Sequence, residues 1–413
     1  MIHFQLSILN FQFENRRVTT QRIGIYGGTF DPPHIGHVQA AAQAVEALHL
    51  DRLLLIPAYA TPKKSPGIPG AEPEHRLAML RLAAEAMPKA EINTLEMDRG
   101  EISYTFEAVK ALRKLYPEDE LYLLLGSDVF FGFMNWKQWE EICKDATIAV
   151  LYRGEKGERQ KVQEQLLRMQ ALGVNVVLVE NDAVFISSTQ MRRMLAFRCA
   201  GDLLPEGVLE YIREHYLYNT RAPWKQLPME QLEQVVISLL KPNRVAHVLG
   251  CRDTAVELAK RWGADETDAA RAGILHDITK AIDGPLQLTL CDAYGKILSD
   301  FSRKYPKTLH ALTGSLVAER IFGENKAVVS AIEHHTTGKA DMTLLEKIIY
   351  VADYMEPNRD FPGVEQLREL AFSDIDAALK LGLEMTLQHL ANQGAEVSPE
   401  SREALAWLNR PKQ

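Results

Sequence analysis

No two of the four cysteines, Cys143, Cys199, Cys251 and Cys291, stand close enough for a CxxC pair. Such scatter offers neither a zinc knuckle nor a disulfide framework, and it fits a reducing cytoplasm. Basic charge is also scarce. With 47 Lys and Arg against 55 Asp and Glu the net charge is −8, which argues against a general binder of nucleic acid or acidic membranes. Any phosphate recognition must therefore be local. Apolar runs of membrane-spanning length are missing, as are internal repeats and low-complexity tracts. The opening MIHFQLSILNFQFENRRVTT lacks a basic start, an uninterrupted apolar core and a small-residue cleavage site, so it is not expected to be a signal peptide. It is read as an extra strand, a flexible arm or an upstream start.

What remains is a globular composition spread over 413 residues, too long for one ordinary core. From Arg22 to about Tyr218, short apolar runs (RLLLIPA, ELYLLLGSD, TIAVLYR, VNVVLVE) alternate with helical patterns such as PEHRLAMLRLAAEAM, TFEAVKALRKLY and KVQEQLLRMQALG. This βαβ rhythm predicts an α/β doubly wound parallel sheet, with ligands at the carboxyl ends of its strands. NTRAPWKQLP then breaks the pattern with two prolines, and from Pro228 onward nearly every segment has helical spacing. The expected domains are 22–218, Rossmann-like, and 228–413, an all-α helical bundle, with few contacts crossing the connector.

Two stretches carry chemistry in the first domain. GIYGGTFDPPHIGH, residues 24–37, hands a strand over to a helix, with Gly27 and Gly28 expected to free the backbone for a sharp bend. His34 and His37 then sit beside the amides and positive dipole end of the helix, a place that favours phosphate. ISSTQMRRML, residues 186–195, begins a second helix. There Ser187, Ser188 and Thr189 supply hydroxyls and amides, and Arg192 a charge-assisted contact.

Together these stretches resemble the HxGH nucleotidylyltransferase superfamily. Residues 22–218 are most similar to bacterial nicotinate-nucleotide adenylyltransferases, through GGTFDPPHIGH, LIPAYATPKK, EHRLAML, SYTFEAVKAL and LLGSDVFFGFMNWKQWEEI. The resemblance implies AMP transfer from ATP to nicotinate mononucleotide with Mg²⁺, yielding deamido-NAD and pyrophosphate. It implies catalytic roles for His34, His37 and Arg192, and substrate contacts from Gly27, Gly28, Thr29, Phe30, Lys64, Gly126, Asp128, Ser187, Ser188 and Thr189. The Tyr104/Thr105 region and Trp136 would hold the nicotinate ring. ATPKK departs from the usual pattern, which has a second proline before its lysine.

In the second domain GILHDITK places His276 beside Asp277, the signature pair of the HD phosphohydrolase superfamily. His247, His310, His335 and Asp353 lie in separate helical contexts, so their side chains can meet in a bundle core. Imidazole and carboxylate suit iron, manganese, zinc or nickel better than calcium. His247, His276, Asp277 and Asp353 would hold one metal ion, and His310 with His335 a second, bridged by Asp277.

HHTTG, LLEKIIYVADYMEPNRDFPGVEQLRELA and HDITK resemble the HD-domain symmetrical diadenosine tetraphosphate hydrolases over about residues 230–410. That family carries iron and cuts diadenosine tetraphosphate into two ADP. The resemblance implies that Lys280 grips phosphate and that Thr336, Thr337 and Arg359 line the pocket. HALTGS departs from the glycine and proline usual after the histidine. The chain thus reads as a bifunctional enzyme of small nucleotides, with a homo-oligomer left open. The alternatives are another nucleotidylyltransferase in the first half, and in the second an HD hydrolase of a different nucleotide or a non-catalytic nucleotide sensor.

Overall fold

In a computed structural model, residues 20–60, 68–152, 157–180, 182, 184 and 186–411 are described. They form two compact units. One comprises Met1–Thr29, Gly36–Thr61 and Ala84–Phe185; the other comprises Phe30–Ile35, Pro62–Ala83 and Ile186–Gln413.

The first unit is built on a six-stranded parallel sheet in the order β3-β2-β1-β4-β5-β6. Its strands are β1 (Arg22–Gly28), β2 (Arg52–Pro57), β3 (Ala90–Ile92), β4 (Glu120–Gly126), β5 (Thr147–Tyr152) and β6 (Val176–Glu180). Four of them coincide with the apolar runs of the sequence, since a strand covered on both faces is apolar almost throughout, and β1 is the strand expected ahead of the GGTFDPPH turn. The interior of β4, Leu121–Leu125, is accordingly buried. Strand β3, with only AEI, is too short and too polar to announce itself. β1 pairs with both β2 and β4, so the strand order reverses between β1 and β4. Ligands of open α/β sheets bind outside the carboxyl ends at such a point. The two ends there are Gly27–Gly28 and Gly126.

One local expectation needs correcting. Gly27 and Gly28 remain within the extended strand, and the residue in left-handed conformation is Phe30, at φ 48°. Phe30 is 1% exposed, so burial of a large aromatic ring offsets the strain that a side chain meets in that region. Pro32 and Pro33 delay the helix as expected, until Ile35–Ala47.

The described part of the second unit contains helices and no strand. Helices Val245–Trp262, Glu266–Leu275, Leu309–Val317, Lys326–His334 and Leu344–Met355 make its central bundle. Gly273 lets two of them approach closely, because a Cβ there would lie 2.8 Å from the Cα of Arg252. That approach brings the start of the HD segment against the His247 helix. No helix of the described residues is long and apolar enough to cross a membrane.

Some hydrogen bonds do cross the connector. Within the second unit, the buried Arg193 guanidinium donates from Nε to Leu239 O at 2.7 Å and from Nη2 to Leu240 O at 3.5 Å. Gln190 Nε2 donates to Asp283 Oδ2 at 2.8 Å, and Tyr294 donates its hydroxyl proton to Phe197 O. The connector is irregular, and these hydrogen bonds run across it, which composition alone could not reveal.

Candidate active sites

The transferase-like residues are distributed over both compact units. In the first, Gly27 and Gly28 end β1, Thr29 follows, and His37 lies half-buried in the first turn of helix Ile35–Ala47, its ring centroid 6.2 Å from that of Tyr26. Gly126 ends β4 and Asp128 is exposed in the short helix Ser127–Phe130. Tyr104 precedes helix Thr105–Leu115, where its backbone N–H donates to Glu107 Oε2 at 3.4 Å. Trp136 packs edge-on against Phe133, centroids 5.4 Å apart, and the ammonium of Lys137 stands 4.3 Å from the Tyr104 ring centroid. Lys64 lies outside the described residues.

In the second unit, Phe30 and His34 are buried, and Ser187 caps helix Ser188–Ala196 by accepting from the Gln190 N–H at 3.2 Å. Ser188 Oγ donates to Pro32 O at 3.3 Å, and Arg192 donates to Thr189 Oγ1 at 3.3 Å. The centre of this arrangement is Asp31, which the sequence reading passed over. Its carboxylate accepts from Tyr218 Oη at 2.7 Å and from the Ala71 N–H at 2.9 Å, and Arg192 Nη1 lies 3.4 Å from Oδ2 and donates to Asp31 O at 2.8 Å. Asp31 thus ties the DPPH turn to the SSTQMR helix. Burial pushes the Tyr218 hydroxyl far above its usual pKa, and the Asp31 charge adds to the shift, so Tyr218 stays a donor. An acid followed by two prolines was the available signal.

The helical bundle brings all six expected ligand residues together. His247 lies in the first turn of Val245–Trp262, His310 in Leu309–Val317 and Asp353 in Leu344–Met355. His276 and Asp277 follow the end of Glu266–Leu275, and His335 follows Lys326–His334, so these three sit just past helix ends rather than within helices. Asp277 divides the set. Its Oδ2 lies 3.7 Å from Nε2 of both His247 and His276, while its Oδ1 lies 3.5 Å from His310 Nε2 and 3.8 Å from His335 Nε2. Asp353 Oδ1 completes the first side, 3.1 Å from His247 Nε2 and 3.8 Å from His276 Nε2. Within each of the triads His247/His276/Asp277, His276/His335/Asp353 and Asp277/His310/His335, the donor atoms fall within 4.8 Å of one another.

The outer nitrogens explain why the inner ones converge. His276 Nδ1 is 2.7 Å from Gly273 O, His335 Nδ1 is 2.7 Å from Ile332 O, and His247 Nδ1 is 3.1 Å from Glu356 Oε1. Each contact assigns the proton to Nδ1 and turns the Nε2 lone pair inward, the usual outer support of a metal-ligating imidazole. His335 Nε2 is buried and has no hydrogen-bond partner among the described residues, an arrangement costly for an imidazole unless a cation receives its lone pair. Burial holds His276 well below the ordinary histidine pKa and pulls His335 down to about 4, so both are neutral, as ligands must be. Burial alone would raise the pKa of Asp353. The His247 hydrogen bond and the Arg359 guanidinium outweigh it and hold the carboxyl far below its usual range. The donors are nitrogen and oxygen without thiolate, and they fit divalent transition metals.

Cationic and polar groups border the ligands. Lys280 Nζ is 2.8 Å from His310 Nε2 and 3.9 Å from Asp277 Oδ1, and Arg359 Nη2 is 2.6 Å from Asp353 Oδ1. Thr336 Oγ1 lies 3.1 Å from His310 Nε2, whereas Thr337 Oγ1 donates locally to Gly338 O. Two residues escaped the sequence reading: Glu356, 1% exposed behind His247, and Arg244, whose guanidinium pairs with Asp277 Oδ2. Both lie in segments already singled out, NRVAHVLG and MEPNR, but neither has a spacing that marks it.

Comparison with known proteins agrees with this division. The cytidylyltransferase-like family matches residues 25–194, and the HD domain family residues 244–358. A Mycoplasma pneumoniae protein named "Probable nicotinate-nucleotide adenylyltransferase/Ap4A hydrolase" is 30% identical over 89% of this chain and 98% of its own length. A "Probable nicotinate-nucleotide adenylyltransferase" of Pseudomonas syringae pv. tomato is 36% identical over 49% of this chain and 95% of its own. Among solved structures, a predicted HD superfamily hydrolase involved in NAD metabolism from Clostridium acetobutylicum has 36% identity and a TM-score of 0.43, over 44% of this chain and 97% of that one. With the relationship to the Mycoplasma protein running nearly end to end, this chain belongs to the family that joins a cytidylyltransferase-like domain to an HD domain on one polypeptide.

Proposed function

We propose that the chain is a bifunctional enzyme with functional modules at 22–218 and 228–413. The first transfers AMP from ATP to nicotinate mononucleotide, and the second hydrolyses diadenosine tetraphosphate to two ADP. The hydrolase reading is carried by one observation: the two oxygens of Asp277 face two separate sets of imidazole nitrogens. A carboxylate so placed can bridge a metal pair. When bound, such a pair, with iron the favoured metal, supplies water activation and neutralises phosphate charge. His247, His276 and Asp353 would hold one ion, His310 and His335 the other. Lys280 and Arg359 add positive charge for the polyphosphate, and Thr336 and Thr337 hydroxyls. One water is consumed at the middle of the chain of phosphates, and each half leaves as ADP.

In the transferase module the 5′-phosphate of nicotinate mononucleotide attacks the α-phosphorus of ATP in line, and pyrophosphate departs. No covalent nucleophile is needed, so the residues act by placement and charge. His34, His37 and Arg192 hold ATP phosphates, with Mg²⁺ as the expected counter-ion and Lys64 as a further cation. Gly27, Gly28, Thr29, Phe30, Gly126, Asp128 and the Ser187–Thr189 cap shape the nucleotide site, and Tyr104, Thr105 and Trp136 receive the nicotinate ring. Support comes from the strand order, which reverses beside Gly27, Gly28 and Gly126, and from the relatives named above.

The test is an activity screen of the purified full-length protein against nicotinate and nicotinamide mononucleotides with ATP, and against a panel of dinucleotide polyphosphates. Preference for the acid and formation of two ADP are expected. Equal use of the two mononucleotides removes the acid-specific assignment, and hydrolysis of a different nucleotide removes the tetraphosphate.

A further inference from the structure

Arg244 has no part in the reaction as derived so far. It stands at the N-cap of helix Val245–Trp262, three residues before His247, and its guanidinium pairs with Asp277 Oδ2. That is its one side-chain ion pair among the described residues, and its buried Nε has no hydrogen-bond partner there. Arg359 is held differently. Its Nε donates to Asp353 O at 2.8 Å while Nη2 reaches the carboxylate, so the backbone fixes it in place. Arg244 lacks such an anchor, and its side chain is 26% exposed against 2% for Asp277.

The oxygen that Arg244 grips is also the one facing His247 and His276. Arginine and a metal ion therefore compete for it. Once Asp277 serves as a ligand, the guanidinium loses its ion-pair partner and faces another cation, with its fork open to a different anion. Its planar fork matches phosphate oxygens. We propose that Arg244 is a polyphosphate-binding residue that exchanges Asp277 for substrate phosphate. This rests on the reading of the HD site as a metal-dependent phosphohydrolase, and it adds a binding residue on the His247/His276 side, opposite the Lys280/His310 side.

The experiment uses the full chain as Arg244→Met and Arg244→Lys, with thermal unfolding to verify folding. Titration of chelator-stripped protein with Mn²⁺ should show tighter binding in Arg244→Met, by about fivefold, the worth of one partly exposed ion pair. Inorganic phosphate, titrated into the Mn²⁺-loaded protein, should bind about tenfold or more weakly, and the KM for diadenosine tetraphosphate should rise about ten- to a hundredfold with kcat changed far less. Arg244→Lys, with charge but no fork, should keep near-native Mn²⁺ affinity and lose part of the phosphate affinity, which keeps the test open if Arg244→Met misfolds. Weaker Mn²⁺ binding in Arg244→Met would make the residue a support for Asp277, and a pure kcat loss or unchanged phosphate affinity would likewise overturn the proposal. If the parent protein does not cut diadenosine tetraphosphate but the Mn²⁺ and phosphate shifts appear, the substrate reading fails and the role of Arg244 stands.

Discussion

The helical bundle and the transferase region handle phosphate with opposite designs. In the bundle, six donor residues converge with their outer atoms tied down: Gly273, Ile332 and Glu356 each hold an imidazole from behind. In the transferase region the expected residues lie at strand ends, in a turn and at a helix start, several of them exposed, and Asp31 ties the turn to Arg192 and Tyr218. A metal centre must exist before its substrate arrives, because desolvated imidazoles and carboxylates are costly unless their geometry is settled. Nucleotide transfer by placement and charge can leave its groups facing solvent until the phosphates bind.

The strongest way to break this contrast is Asp277→Ala. Removing the bridging carboxylate should strip the metal and abolish diadenosine tetraphosphate hydrolysis, while deamido-NAD synthesis continues at close to its original rate; metal analysis and two assays on one preparation measure it. Loss of both activities in a folded variant would show that the two designs are coupled. The mirror experiment is His37→Ala, which should lower adenylyl transfer about 100- to 1,000-fold with metal content and hydrolysis unchanged. Near-normal transfer would take His37 out of the site.

Asp31→Asn sharpens the comparison from within the transferase region. It keeps the shape but removes the charge that Arg192 and Tyr218 share, and transfer should fall about tenfold, the worth of one charge-assisted hydrogen bond. A variant with unchanged kcat/KM would show that Arg192 needs no such holder. Severing the chain between Tyr218 and Pro228 probes the contacts across the connector. The first fragment would lose the carbonyls that Arg193 uses, at about 1.5–3 kcal/mol, and should melt earlier than a longer fragment that retains Leu239 and Leu240. Identical melting of the two fragments would mean those bonds contribute nothing.

A further expectation is a pH dependence in chelator-stripped protein. His335 has a folded pKa of about 4 against an unfolded 6.5, because burial penalises its charged form, and His276 is lowered for the same reason. Between those values the unfolded chain binds more protons, so stability is complete above pH 6.5 and is lost as pH falls toward 4. Denaturant melts across that window should show the decline, and a flat profile would mean these histidines are not buried as neutral groups.

Much of the fold was legible. Five strands and the helices around them follow from apolar periodicity, because burial on both faces, or on one helical stripe, writes itself into residue order. The convergence of the six candidate ligands was legible too, since histidines and aspartates in otherwise apolar helical segments have few reasons to be there. Strand β3 was not, because three residues carry no period. Nor was the left-handed Phe30, whose strain is offset by burial that only the folded packing provides. Lys64, read from a loop motif, lies outside the described residues.

Residue order by itself determined which chemical groups this protein owns and the secondary structure that carries them: DPPHIGH, SSTQMR and HD each announce phosphate or metal chemistry from local residue types. Tertiary structure alone decided how those groups are shared out. That Asp277 presents one oxygen to His247 and His276 and the other to His310 and His335, that Glu356 stands behind His247, and that Arg193 spans to Leu239 are relations between residues as much as 109 positions apart. Hydrogen bonds and ion pairs depend on angles and distances of a few ångströms, and those are set by how helices pack, for which no local pattern in the chain is a substitute.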